Sequence, residues 1–352
     1  MTIQQRLEEF WRGGRPAGIP YTIYYWSWKD VQKDPAWNAM YAAGLGVTHH
    51  LGPTRESWRE VQVENFQTGM DRSRQILHTP VGNLSSTTHT GWHDEYLLKT
   101  AADYRVMTWI VQNTVVEPGL DQYRQALAEL PPHAVPLLQI GRTPLQEILV
   151  DYAGLENFAI HLYEFESEVR ELYAALLAKF RKRVAIAAQA PGTFVSNLEN
   201  FTAESLGPHR FTEFLLPVYR ECFPILQAAG KIVGCHFDGR TAACREAIAH
   251  APIDLIESLT EPPEGDQTIA ESRQVWPDKL FWINIGVSCY QLPRAELREK
   301  IWSLYNAGAR DGRLVAFQVS EDLPTNWSSS MPMVIEILRE ISQAEKHDLK
   351  TE

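Results

Sequence analysis

The chain has 352 residues, with 33 Lys and Arg against 44 Asp and Glu and a formal net charge of −11. That acidic balance speaks against a nucleic-acid or anionic-membrane partner, since both need clustered Lys and Arg. With 44% apolar and 22% charged residues the composition is that of a globular protein. It contains no apolar run of about 18 residues from which a transmembrane helix could be built. The N-terminus is charged and amphipathic and lacks the apolar core of a signal peptide, so the expected location is the cytoplasm. Cys222, Cys235, Cys244 and Cys289 form no CxxC pair and are expected to be small buried hydrophobes.

In chain order, residues 2–12 predict an amphipathic helix with Ile3, Leu7, Phe10 and Trp11 on one face. Gly13 and Gly14 break it, and residues 19–26 read as a first buried strand. A helix over 35–43 ends at Gly44, and a strand is expected near 46–51. Residues 60–66 then alternate apolar and polar with period two. Thr79-Pro-Val-Gly82 marks a tight turn in a second β-ribbon that runs to about Trp92. Residues 55–95 are therefore an antiparallel insertion within a single domain spanning 1–352, and a candidate homodimer surface.

From residue 96 helical stretches alternate with short apolar strands, expected at 135–139, 184–189, 231–236, 253–257, 279–284 and 312–317. Such alternation means right-handed βαβ units and a parallel sheet. With the two strands before the insertion it completes a (β/α)8 TIM barrel. Polar residues end nearly every strand: Gln139, Gln189, His236 with Asp238, Glu257 with Glu261, Asn284, and Ser320 with Glu321. In such a barrel these ends converge on one face, where active sites sit. No GxGxxG follows the first strand and no GxxxxGK[ST] occurs, so dinucleotide and P-loop readings lack support.

Three clusters carry the candidate chemistry. In Gly234-Cys-His-Phe-Asp-Gly-Arg240, His236 and Asp238 lie two apart, so an extended backbone turns both to one side. A His beside a carboxylate suits a divalent metal or an acid–base pair; the structural alternative is a histidine merely held by an aspartate. In the stretch from Ile256 to Asp266, Glu257 ends a strand and can reach the mouth, whereas Glu264 and Asp266 are expected to cap the next helix near Thr268. In Val319-Ser-Glu-Asp-Leu-Pro324, Glu321 or Asp322 follows the last strand. Tyr25, Trp26 and Trp28 are candidates for an apolar substrate wall, and core packing is the alternative for these aromatics. Asn83-Leu-Ser85 and Asn326-Trp-Ser328 match the glycosylation sequon, which has no meaning in the cytoplasm.

Arg12-Gly-Gly-Arg-Pro-Ala-Gly-Ile-Pro20, Phe211-Thr-Glu-Phe-Leu-Leu-Pro217, Ala229-Gly-Lys-Ile-Val-Gly-Cys-His-Phe-Asp-Gly239 and Val319-Ser-Glu-Asp-Leu-Pro324 resemble segments of the uroporphyrinogen decarboxylase superfamily. The resemblance spans nearly the whole chain and implies a (β/α)8 barrel. The decarboxylase branch carries arginines after its first strand to hold substrate carboxylates; here that stretch, Tyr24-Tyr-Trp-Ser-Trp-Lys29, has none. The chain more closely resembles the zinc-dependent, corrinoid-linked methyltransferase branch, whose ligands follow an HxC pattern with a second Cys after the last strand. By position His236 matches the His, Asp238 the first Cys and Glu321 the second. A histidine with two carboxylates has the same formal charge as one with two thiolates.

The resemblance thus implies a metal-dependent methyltransferase that moves a methyl group from a small O-methyl donor to the corrinoid of a separate corrinoid-binding protein. A divalent metal, zinc first, would sit on His236, Asp238 and Glu321, with Glu257 as the alternative third ligand. Asp238, Glu257 and Arg142 are the expected catalytic residues. Tyr25, Trp26, Gln139, Gln189 and Asn284 are expected to bind the substrate. The competing enzyme reading is a metal-free decarboxylase or lyase acting on a tetrapyrrole or small carboxylic acid. A third reading is a non-catalytic binding barrel.

Overall fold

A computed structural model of the chain describes residues 1–24, 33–237, 239–309, 313–320 and 324–348. Its strands are β1 (Tyr21–Tyr24), β2 (Gly46–Leu51), β3 (Thr54–Trp58), β4 (Gln62–Gln67), β5 (Arg72–Thr79), β6 (Gly82–His89) and β7 (Trp92–Glu95). They continue as β8 (Thr114–Pro118), β9 (Ala134–Gln139), β10 (Phe194–Asn197), β11 (Ile232–His236), β12 (Leu255–Leu259), β13 (Leu280–Asn284) and β14 (Ala316–Gln318). Among the described residues eight of these close a barrel in the order β1-β14-β13-β12-β11-β10-β9-β2, and every pairing is parallel. With helices packed outside, this is the expected (β/α)8 barrel. The insertion is an antiparallel meander, β4-β5-β6-β7, with β3 paired to β8 beside it. Leu77 and Leu84 pin the meander to the core, while β4 is exposed along its length.

One strand expectation is corrected. Residues 184–189 are helical and form the last turns of Glu166–Gln189; the barrel strand is the next segment, β10. Leu172, Leu176, Phe180, Val184 and Ala187 are all buried on that helix, at spacings of three and four. The apolar run therefore continues a helical stripe, and periodicity within so short a run cannot separate the two.

Strand parity divides the barrel into an outer and an inner face. Val195, Val233, Ile256, Phe281 and Phe317 point outward into the main core beneath the helices. Val135, Leu137, Phe194, Leu255, Leu280, Trp282 and Ala316 point inward and form a separate cluster with the N-terminal helix Ile3–Trp11. That helix starts at a Thr2–Gln5 capping box and inserts Ile3, Leu7, Phe10 and Trp11 as the barrel's floor. Trp11 stacks on Phe194 at 4.8 Å. Above this floor, toward the C-terminal ends of the strands, the described inward-facing residues become polar. No helix among the described residues is long and apolar enough to cross a membrane.

Candidate active site

The inward parity that places Phe194, Leu255 and Trp282 in the floor carries a polar residue to the upper end of each barrel strand. These are Tyr24, His50, Gln139, Ser196, His236, Glu257, Asn284 and Gln318. Tyr24 Oη donates to Glu257 Oε1 at 2.9 Å and lies 3.1 Å from His236 Nδ1. On the other carboxylate oxygen, Ser196 Oγ donates to Glu257 Oε2 at 3.3 Å and itself lies 3.3 Å from His50 Nε2. The result is a continuous relay, His236–Tyr24–Glu257–Ser196–His50, with a carboxylate at its centre. Glu257 is 1% exposed and His236 4%.

The direction of each bond follows from counting protons. A carboxylate only accepts, so Tyr24 spends its single hydroxyl proton on Glu257. With that proton spent on Glu257, the Tyr24 oxygen is left to accept from His236 Nδ1. The same logic makes His50 the donor to Ser196 through Nε2. Burial, with His236 and His49 adding like-charge repulsion, lowers His50 to about 3, so it is neutral at physiological pH.

The backbone aims these groups. Between Glu257 and Leu259 the β12 register shifts and Ser258 takes φ +68°, a bulge beside the buried carboxylate. Ser258 Oγ accepts from Asn284 Nδ2 at 2.7 Å.

The acids after β12 do other work than expected. Thr268 caps its helix with Glu271, and Glu261 accepts from the Ile269 N–H and pairs with Lys300. Glu264 and Asp266 do not cap that helix; they cross to neighbouring loops. Glu264 accepts from the Ser288 N–H, and Asp266 accepts from those of Thr241 and Ala242. The stretch ties together the loops after β11, β12 and β13, an arrangement that local spacing does not report.

Of the expected site residues, the structure brings His236 and Glu257 together through Tyr24, and Asn284 faces the same interior. Gln139 continues the inward row of Val135 and Leu137. Gln189 is corrected: it lies on the outer helix with its amide on Ala185 O, not at a strand end. Arg142, on the loop after β9, hydrogen-bonds Asn200 and lies 3.7 Å from Asp151. Tyr25, Trp26, Asp238 and Glu321 lie outside the described residues. Sequence reasoning missed Tyr24, His50, Ser196 and Gln318. Parity counted from Tyr21 identifies Tyr24 as inward, and a strand boundary at Phe194 does the same for Ser196.

Among the described residues no three His, Cys, Asp or Glu side chains converge closely enough to hold a metal ion. His236 Nδ1 lies against a hydroxyl that is itself backed by the Glu257 carboxyl, an arrangement that orients the imidazole ring.

Behind β10 and β11, on the outer face, lies a second buried group. Glu199 accepts from the Thr143 N–H at 3.1 Å, from Thr143 Oγ1 at 2.8 Å and from Asn197 Nδ2. Burial raises its carboxyl to about 7, against the pull of these donors and of Arg142. The same Asn197 amide reaches Cys235 Sγ at 3.7 Å, next to His236.

No family model matches the sequence, and no curated protein matches it. Among solved structures the chain is similar to a methyltransferase from Methanosarcina mazei, with a TM-score of 0.57, 11% identity, and coverage of 97% of this chain and 99% of that one. It is more distantly similar to a GH20 catalytic module of the pneumococcal exo-β-D-N-acetylglucosaminidase (TM-score 0.38, 9% identity, 96% and 86% coverage). A sugar phosphate isomerase/epimerase from Parabacteroides distasonis gives a TM-score of 0.31 at 9% identity, with 92% and 96% coverage. At such identities the first likeness is one of fold, a (β/α)8 barrel matched end to end, and the other two carry no argument.

Proposed function

We propose that the barrel mouth is the active site of a methyltransferase that takes the methyl group of a small O-methyl donor and passes it to the corrinoid of a partner protein. The observation that supports this reading is the Glu257–Tyr24–His236 chain, which orients the His236 ring as outer-shell partners orient ligating histidines. In this reading His236, Asp238 and Glu321 hold a divalent ion, zinc first. When bound it supplies Lewis acidity toward the donor's ether oxygen, and carboxylate ligands leave that acidity stronger than thiolates would.

The chain's own residues do the rest. Tyr24 and Glu257 hold the His236 ring in one tautomer. Once the methyl group leaves, the donor's oxygen takes up a proton from solvent, while Tyr24 Oη keeps its own on Glu257. In this reading Gln139 and Asn284 orient the donor from the inner wall, with Tyr25 and Trp26 as its apolar side.

The test is the metal content of protein purified without affinity tag or chelator, wild type beside His236→Ala. It is followed by absorbance assays of methyl transfer from methyl ethers to reduced cobalamin. About one zinc per chain, lost in the variant, with methylcobalamin formed by wild type only, is the expected result. Protein without metal in either form rejects this mechanism and leaves the metal-free lyase.

A further inference from the structure

Three inward side chains of the mouth, Gln139, Asn284 and Gln318, stand outside the relay, and the last two are neighbours. Asn284 and Gln318 are directly paired positions on the adjacent strands β13 and β14. They are 6% and 0% exposed, and the inward row of β13 continues below Asn284 as Trp282 in the floor. One end of each amide is held: Asn284 Nδ2 by Ser258, and Gln318 Oε1 by Thr22 Oγ1 at 2.8 Å. The other ends, Asn284 Oδ1 and Gln318 Nε2, are buried and have no hydrogen-bond partner among the described residues.

Buried polar atoms are seldom left so, because burial strips them of the hydrogen bonds they would make to water. Here the two orphans are complementary, an acceptor beside a donor on neighbouring strands. A hydroxyl is the smallest group that satisfies both, since one oxygen donates a proton and accepts another.

We propose that Asn284 and Gln318 form a subsite for a substrate hydroxyl. The hydroxyl donates to Asn284 Oδ1 and accepts from Gln318 Nε2. The proposal rests on the mouth being the active site and adds a substrate class: the methyl donor carries a free hydroxyl besides its methoxy group. A pocket built around a hydroxyl rejects an analogue that lacks its proton, because the buried groups are then left unpaired.

Saturation-transfer NMR on the full chain tests this with two probes, 2-methoxyphenol and 1,2-dimethoxybenzene, the latter having its hydroxyl proton replaced by methyl. Wild type is expected to bind 2-methoxyphenol about tenfold or more tightly than its methylated analogue. Asn284→Leu and the near-isosteric Gln318→Met are each expected to erase that preference, with thermal melting confirming that the variants fold. Equal binding of the two probes, no binding of either, or a preference that survives both substitutions overturns the proposal, and the pair then holds an ordered water only. The assay contains neither methyl acceptor nor added metal, so failure of the methyl-transfer reading and failure of the hydroxyl subsite give different results.

Discussion

The Tyr24 hydroxyl reaches across the barrel lumen to Glu257 Oε1 at 2.9 Å, from β1 to β12, with β13 and β14 lying between those strands around the wall. With its proton on Glu257, the Tyr24 oxygen is left as an acceptor facing His236 Nδ1. Tyr24→Phe removes it and leaves the Glu257 carboxylate and His236 Nδ1 each short of a buried hydrogen bond. The expected loss of stability is about 1–3 kcal/mol by urea denaturation. A sharper readout is the histidine 15N spectrum, with the His236 signals identified by their loss in His236→Gln. Wild-type His236 is expected as the Nδ1–H tautomer, and Tyr24→Phe should populate the other. A wild-type signal from Nε2–H would show that the relay runs the opposite way.

Glu199 predicts a pH dependence of stability. Its ordinary value is 4.5 and its folded value about 7, raised by burial. The folded chain therefore keeps a proton that the unfolded chain has released between these values. The contribution is fully present below pH 4.5 and lost as pH rises through 7. Its size is roughly 3 kcal/mol. His50 and His49, lowered to about 3 and about 4 mainly by burial, act in the opposite sense and stabilise the fold less as pH falls. Glu199→Gln subtracts the carboxyl alone. Urea midpoints at pH 5 and pH 8 should show wild type gaining relative to the variant at pH 5. Parallel pH profiles would place Glu199 in the ordinary carboxylate range.

The fold was legible in the sequence wherever an element advertised its period. The floor helix shows its buried face as Ile3, Leu7, Phe10 and Trp11, and the helix–strand alternation after residue 96 implies a parallel barrel. His236 and Glu257 were legible because both close apolar strands with a polar side chain. Gln189 misled because Val184 to Gln189 is equally apolar as the end of a buried helical stripe, while β10 is a strand of four residues. Tyr24 was passed over for its neighbours because the side to which a strand residue points depends on where the strand begins. The roles of Glu264 and Asp266 were not legible at all: their backbone donors lie more than twenty residues away, at Ser288, Thr241 and Ala242.

Gly234 is where the barrel wall leaves no room for a side chain. A Cβ added there would lie 2.6 Å from Phe194 Cε2 and 3.3 Å from Leu255 Cδ2. Phe194 cannot yield readily, because Trp11 stacks on one side of it and Trp282 meets it edge-on at 5.8 Å. Gly234→Ala should therefore cost about 1–3 kcal/mol through overpacking. Phe194→Leu in the same chain should return part of that loss, and a double-mutant cycle measures the coupling. Additive losses would mean that the floor accommodates the methyl group without meeting Phe194.

The buried ion pair Lys179–Glu147 joins the outer helix to the wide-turn π-helix Glu147–Ala153 beneath the insertion. Both side chains are under a tenth exposed, and Arg183 adds a second bond to Glu147 at 3.0 Å while Tyr152 donates at 2.6 Å. Burial alone would raise the Glu147 carboxyl; Lys179 and Arg183 outweigh it and hold the group below its ordinary value. Taking away Lys179 leaves a buried carboxylate with half its counter-charge, so Lys179→Met should destabilise the chain by about 3 kcal/mol or more. Removing both charges should cost far less, since two apolar groups of similar volume need no solvation to replace. The expected order in urea is wild type, then Glu147→Leu with Lys179→Met, then Lys179→Met alone. A double variant no better than the single one would mean that Arg183, which also pairs with Glu56, carries the electrostatics of this junction in place of Lys179.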